Sequence, residues 1–246
     1  MKRSGFRLLA ILTLALAGAL GFGALGVWQI RRMTWKHELI ARVESRVNAA
    51  PVAAPGPGAW ANIAGEEYRR VRVAGQYLHD RETLTQAVTR LGGGFWVMTP
   101  LRADAGFIVL VNRGFVPPER RAQAARQESL PGGRVEVTGL LRLTEPGGGF
   151  LRHNDPAADR WYSRDVAAIA RRQGLDRMAP GAVAPYFIDA GYVPNPGGYP
   201  VGGLTVVRFS DNHLVYAVTW FALALMTVAA ALFMIRLEGR DAGESS

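Results

Sequence analysis

Cysteine is absent from the 246 residues. That excludes disulfide frameworks, thiolate-ligated zinc, thiol nucleophiles, c-type haem attachment and copper relays built on paired thiols. Lysine is almost absent too: Lys2 and Lys36 stand alone, so a formal charge of +9 rests on arginine. The arginines are spread through strand-like segments, with no basic helix, zinc finger or aromatic RNA-binding signature, so no nucleic acid partner is expected. Membrane lipid headgroups, or carboxylates on a partner protein, are the simpler counterpart for this charge. Four histidines, none close in sequence to another, do not make a multi-histidine metal site, and six scattered methionines do not make a methionine-rich copper site.

Catalytic sets are missing as well. His79-Asp80 and His153-Asn154-Asp155 are the only histidine–carboxylate neighbours within the strand-rich stretch 68–209. Neighbours in a strand point to opposite faces, so neither supplies a base with its orienting carboxylate. No nucleophile elbow, His-Glu-x-x-His run or phosphate-cradling loop occurs, and the chain is read as a non-enzyme.

What is present lies first at the ends. Leu8–Ile30 runs 23 residues without a charge, long enough for a hydrocarbon core that takes about 20. Ala17-Gly18-Ala19 resembles a signal-peptide cleavage site, but the apolar run continues past it, which favours an uncleaved span. Ala15, Ala19, Gly23 and Gly26 form a small-residue stripe at helical spacing, suited to packing on a second helix or no more than ordinary membrane-helix composition. Trp28, Arg31, Arg32, Trp35 and Lys36 make an aromatic and basic collar, and Met33–Val47 retains helical character up to the proline- and glycine-rich 51–58. Leu214–Ile235 is a second uncharged run of 22 residues.

Between them the period changes to two. Strands are expected at Arg70–Gly75, Thr83–Thr89, Phe95–Leu101, Phe107–Asn112, Arg134–Leu143, Pro185–Ala190 and Leu204–Phe209. Phe107–Val111, apolar on both parities, is expected to be buried on both faces. Gly92–Gly94 is read as a connection, Glu119–Gln127 as a short exposed helix, and Asp165 as the cap of a helix whose apolar face is Val166, Ile169 and Ala170. Residues 194–203 are read as a mobile flap or a plain surface connection. The expectation is an α+β membrane protein: a cytoplasmic tail (1–7), transmembrane helix 1 (8–30), a strand-rich extracytoplasmic domain with one or two short helices (31–213), transmembrane helix 2 (214–235) and a second cytoplasmic tail (236–246). Basic residues balance across the first span, so charge bias orients the chain only weakly.

The stretch Asp211–Phe221 opens the second span. Helical spacing puts His213, Tyr216, Ala217 and Trp220 on one face. His213 is either an interfacial anchor among aromatics or a neutral imidazole acting as a metal or haem-iron ligand. Arg113 is either a carboxylate-binding side chain or a structural partner ending the central strand.

Several stretches resemble the SURF1 (Shy1) family of cytochrome oxidase assembly factors. They are Leu25-Gly26-Val27-Trp28-Gln29 with the basic collar, Glu67–Val71 with Gly75, and Leu110–Pro117. Asn154-Asp155-Pro156, Trp161, Arg164-Asp165, Tyr186–Ala190, Gly202-Gly203, and Asn212-His213 with Tyr216 and Thr219-Trp220 complete the set. The resemblance implies a two-span protein of the bacterial inner membrane with its large domain in the periplasm. It implies a non-enzymatic role in maturing haem–copper oxidases, either delivering haem a to subunit I or scaffolding an assembly intermediate, with haem a synthase a further possible partner. In bacterial members the histidine opening the second span is the proposed haem ligand. That implies His213 on the iron, with Tyr216, Trp220 and Trp28 flanking a porphyrin and Arg113 available to a propionate. Asp211-Asn212 stands where other members often carry Asn-Asn or Asn-Glu.

Overall fold

The computed structural model describes residues 2–149, 151–205 and 212–244. It separates into two compact units, one of the terminal segments 1–42 and 208–246 and one strand body of residues 43–207. Helix α1 (Lys2–Asn48) is continuous, so the helical character of Met33–Val47 extends the apolar span without a break. It stops ahead of Pro51, where a proline cannot continue the hydrogen-bond ladder. Helix α4 (His213–Glu244) closes the chain. Both helices are long and apolar enough to cross a membrane.

In the strand body, β1 (Val52–Ala53), β2 (Arg70–Tyr77), β3 (Thr83–Thr89), β4 (Gly92–Ala103), β5 (Ile108–Val116), β6 (Arg134–Leu143) and β9 (Val183–Ala190) form a seven-stranded sheet in the order β1-β2-β6-β9-β5-β4-β3. A further pairing of β2 with the end of β4 (Gly75↔Ala103) closes five of these strands on themselves. The contact is close: a Cβ on Gly75 would collide with the Arg102 carbonyl, which is why a glycine sits mid-strand. Short strands β7 (Gly148–Gly149) and β8 (Arg152–His153) pair separately.

Alternation sorts the core. Val71, Val73, Val109, Val111, Leu141, Tyr186 and Ile188 fill one cluster, with Trp60 and Ile63 of a 3-10 helix (Pro57–Glu66) packed against it. Met98, Ile108, Leu110 and Phe187 face the other way. Over them lie Trp161 and helix α2 (Val166–Arg172), followed by the single turn α3 (Leu175–Met178). Strand β5 is buried along its whole length, with alternate residues in the two clusters. That meets the two-faced burial expected of its apolar run. The cap of α2 also stands as expected: Asp165 Oδ1 accepts from the Ala168 N–H at 3.0 Å, and Val166, Ile169 and Ala170 are buried.

Three expectations fail locally. Gly92–Gly94 is not a connection but the first turn-side part of β4, in register with Ala87–Thr89. A Cβ at Gly94 would meet the Phe115 ring at 2.6 Å, so the glycine reflects close packing within a strand rather than a break. Glu119–Gln127 is not an α-helix but two 3-10 turns (Pro118–Arg120 and Gln123–Ser129). Arg126 adopts φ −145° as its guanidinium is drawn inward to Glu82. Tertiary ion pairing there overrides local propensity. The central strand also does not end at Asn112 but runs on through Arg113 to Val116. Residues 194–203 are tied down by reciprocal Phe115–Val201 backbone bonds at 2.9 Å, so this stretch is a pinned connection. Of the strand expected at 204–209, residues 206–209 lie outside the described residues, as does Asp211.

Candidate functional site

The two apolar helices meet along one stripe. Trp220 stacks on Phe22 with ring centroids 5.8 Å apart and planes at 21°. Gly26 is buried against Phe221, whose ring stands 2.6 Å from where a Cβ would be. Gly18 faces Thr227 at 3.6 Å by the same measure, and Ala217 is buried. Of the expected small-residue stripe, Gly26 makes the close approach, whereas a Cβ at Gly23 would meet nothing within 4 Å; Gly18, which faces the second helix, lies outside that stripe.

At one end of this stripe, Nδ1 of His213 lies 2.7 Å from Oε1 of Gln29. An amide oxygen only accepts, so Nδ1 carries the proton, and in the neutral ring the lone pair is on Nε2. This is the arrangement in which a histidine serves as a metal ligand: one nitrogen donates to a neighbouring carbonyl, which sets tautomer and ring orientation, while the other faces the metal. Gln29 is nearly buried at 9% exposure, while His213 is half-buried. A side-chain amide inside an uncharged apolar run was the available signal for this partner. In the sequence Gln29 counts only as part of a motif, because nothing local says which residue 184 positions away it faces.

The other expected flanking residues divide. Trp220 joins His213 and Ala217 on the face packed toward α1. Tyr216 (54% exposed) and Trp28 (55% exposed) lie off that face. An imidazole oriented by an amide, with a large aromatic two turns along the same face, is a donor set through which His213 would hold a haem iron. It fits no multidentate metal site: among the described residues no group of three or more His, Asp or Glu comes together to hold an ion.

Arg113 belongs to the strand body. It is 6% exposed, with Nη2 donating to the Ser129 carbonyl and the guanidinium over the Tyr77 ring at 5.1 Å. Burial lowers the Arg113 pKa from its usual value against the partial support of Tyr77 and Glu82. Burial also pushes the Tyr77 phenol up to about 12, outweighing the Arg113 charge. Its neighbour Asn112 donates to Asp189 Oδ1 at 2.8 Å and accepts from the Gly114 N–H at 3.1 Å. Asp189 is the hub of the strand body, taking Arg164 at 3.0 Å, Arg142 at 3.3 Å and the Thr205 hydroxyl at 2.9 Å. The motif residues Asn112, Arg164 and Asp189 therefore hold one another in the fold.

The SURF1 family profile matches residues 16–225. Surfeit locus protein 1 of Homo sapiens is 38% identical over 220 residues, covering 82% of this chain and 70% of its own. Its counterpart in Rattus norvegicus is 36% identical over 225 residues (85% and 70%), and a SURF1-like protein of Monosiga brevicollis is 36% identical over 232 (89% and 85%). With that match running from the first apolar helix through the strand body into the second, this chain belongs to the SURF1 family.

Proposed function

We propose that this protein assists assembly of a haem–copper terminal oxidase in a bacterial inner membrane, carrying haem a toward subunit I. In this reading α1 and α4 span the bilayer and the strand body lies on the periplasmic side. His213 holds the iron through Nε2, Gln29 orients the ring, and Trp220 offers a flat apolar wall near the porphyrin. Tyr216 and Trp28, exposed on the helix pair, face lipid or the haem edge. The haem is cargo and undergoes no reaction here. Haem a synthase, which makes the cargo, is the natural donor. The observation that carries the reading is the His213–Gln29 pair, an imidazole with its proton-bearing nitrogen already committed to an amide.

The test is spectroscopic. Full-length protein purified from cells that make haem a is expected to show the pigment's absorption bands, and His213→Ala is expected to lose them. Gln29→Leu should weaken retention by about 10- to 100-fold, the usual effect of removing a ligand's orienting partner. Bands that persist unchanged in His213→Ala would end the ligand assignment. A second reading is a scaffold that stabilises an assembly intermediate without haem, and the exposure of Trp28 and Tyr216 favours it, since such aromatics suit contact with another protein's helices. It expects His213→Ala to capture subunit I as well as the native chain does.

A further inference from the structure

The buried and half-buried arginines of the strand body differ in one respect. Arg126 (4% exposed) forms a two-pronged pair with Glu82, Arg164 is held by Glu145 and Asp189, and Arg142 by Asp189 and Glu67. Arg113, equally deep, has no carboxylate partner among the described residues. Glu82 is close enough to act on it, but its charge is shared with Arg126, which acts in the opposite sense. One neutral carbonyl, the Tyr77 hydroxyl and the Tyr77 ring face remain, all of them uncharged, and Nη1 is buried without a hydrogen-bond partner. A buried guanidinium in this position carries an uncompensated charge, which the interior strongly disfavours.

Arg113 also lines a cavity of about 310 Å³, whose walls include Val135, Val137, Val193, Pro131 and Pro194. We propose that this cavity binds a small organic monocarboxylate, its apolar body among the valines and prolines and its carboxylate neutralising Arg113. A planar carboxylate matches the guanidinium fork, and the bond is strengthened by charge on both sides. Tyr77, held protonated, borders the same cavity and remains a hydrogen-bond donor at neutral pH. Glu128 and Glu136, both exposed, also border the cavity and disfavour a second negative charge, so a monoanion is selected over a dicarboxylate or phosphate. The proposal stands apart from the haem reading, since Arg113 and His213 lie in different units.

The test is calorimetric titration of the purified full-length protein at pH 7 with 3-phenylpropionate, 3-phenylpropionamide and phenylsuccinate. The monocarboxylate is expected to bind, with the neutral amide and the dicarboxylate each at least about tenfold weaker. Arg113→Met should abolish the preference for acid over amide. Val193→Trp supplies an arm that leaves the guanidinium in place: Val193 is 66% exposed, so a larger side chain can fill the cavity with the melting temperature unchanged. It should weaken binding of the acid by about tenfold or more, whereas His213→Ala should bind it as the native chain does. Absence of acid binding, equal binding of acid and amide, or unchanged binding in Val193→Trp overturns the proposal.

Discussion

Glu82 and Arg126 show what a single side chain decides in the strand body. Their side chains are 8% and 2% exposed, and both guanidinium prongs are engaged. Arg126→Met is expected to destabilise the protein by about 3–5 kcal/mol, because it leaves a buried carboxylate unpaired. The double variant Arg126→Met, Glu82→Leu should recover much of that loss, since two apolar side chains leave no charge behind. Denaturant unfolding of both variants checks it, and a double variant no more stable than the single would show that packing rather than charge governs the site. Gly114 is a second such position. Its φ is +129°, and a Cβ would strike the Val201 carbonyl, so only glycine permits the reciprocal Phe115–Val201 bonds that pin the 194–203 connection. The motif Asn112-Arg113-Gly114 thus has three separate roles: a tie to Asp189, a buried cation and a close backbone approach.

At the scale of elements, the helix pair and α2 each rest on a local device. Gly26 lets α1 and α4 come together where the Phe221 ring lies, so Gly26→Leu must push the helices apart. We expect this variant to lose the His213–Gln29 bond, and haem retention with it, while the melting temperature of the strand body is unchanged. Retained absorption bands would show that the histidine needs no neighbouring helix. For α2, Asp165 accepts from Ala168 at the helix start and, through Oδ2, from the Gly147 N–H at 3.1 Å. Asp165→Ala should cost about 1 kcal/mol of stability, read by denaturant unfolding, and should speed proteolysis near 146–149 by loosening that loop.

At the scale of the whole molecule, pH acts through the carboxylates that hold the strand body. Burial works against the charged form of Glu145, but hydrogen bonds and charge from Arg164, with help from Arg142, outweigh it and keep its pKa below the usual range. A carboxylate depressed in the folded state contributes stability that is fully present above its unfolded pKa of about 4.3. That contribution is lost as pH falls through the lower folded value. Stability should therefore be flat with respect to this group near neutrality and decline below about pH 4, with Glu145→Gln showing a shallower decline. A Glu145→Gln variant with the native acid profile would mean that other groups dominate. On the exposed side Asp155, hydrogen-bonded to Arg160 at 2.8 Å and to the Ala158 N–H, titrates in the same direction.

Sequence alone determined the long-period and short-period features: two uncharged runs at the ends, a central strand apolar on both parities, and a capped helix with a three-residue apolar face. Each is a property of one continuous stretch of chain, so local composition and spacing carry it. The tertiary structure alone decided which distant residues meet. Gln29 reaches His213 across 184 positions, Glu82 turns an expected helix into two 3-10 turns, glycines read as a break become a strand, and a motif arginine is left buried with its Nη1 unpaired. Those outcomes depend on how the strands close on one another and how the two helices pair, and in both the partners lie far apart along the chain.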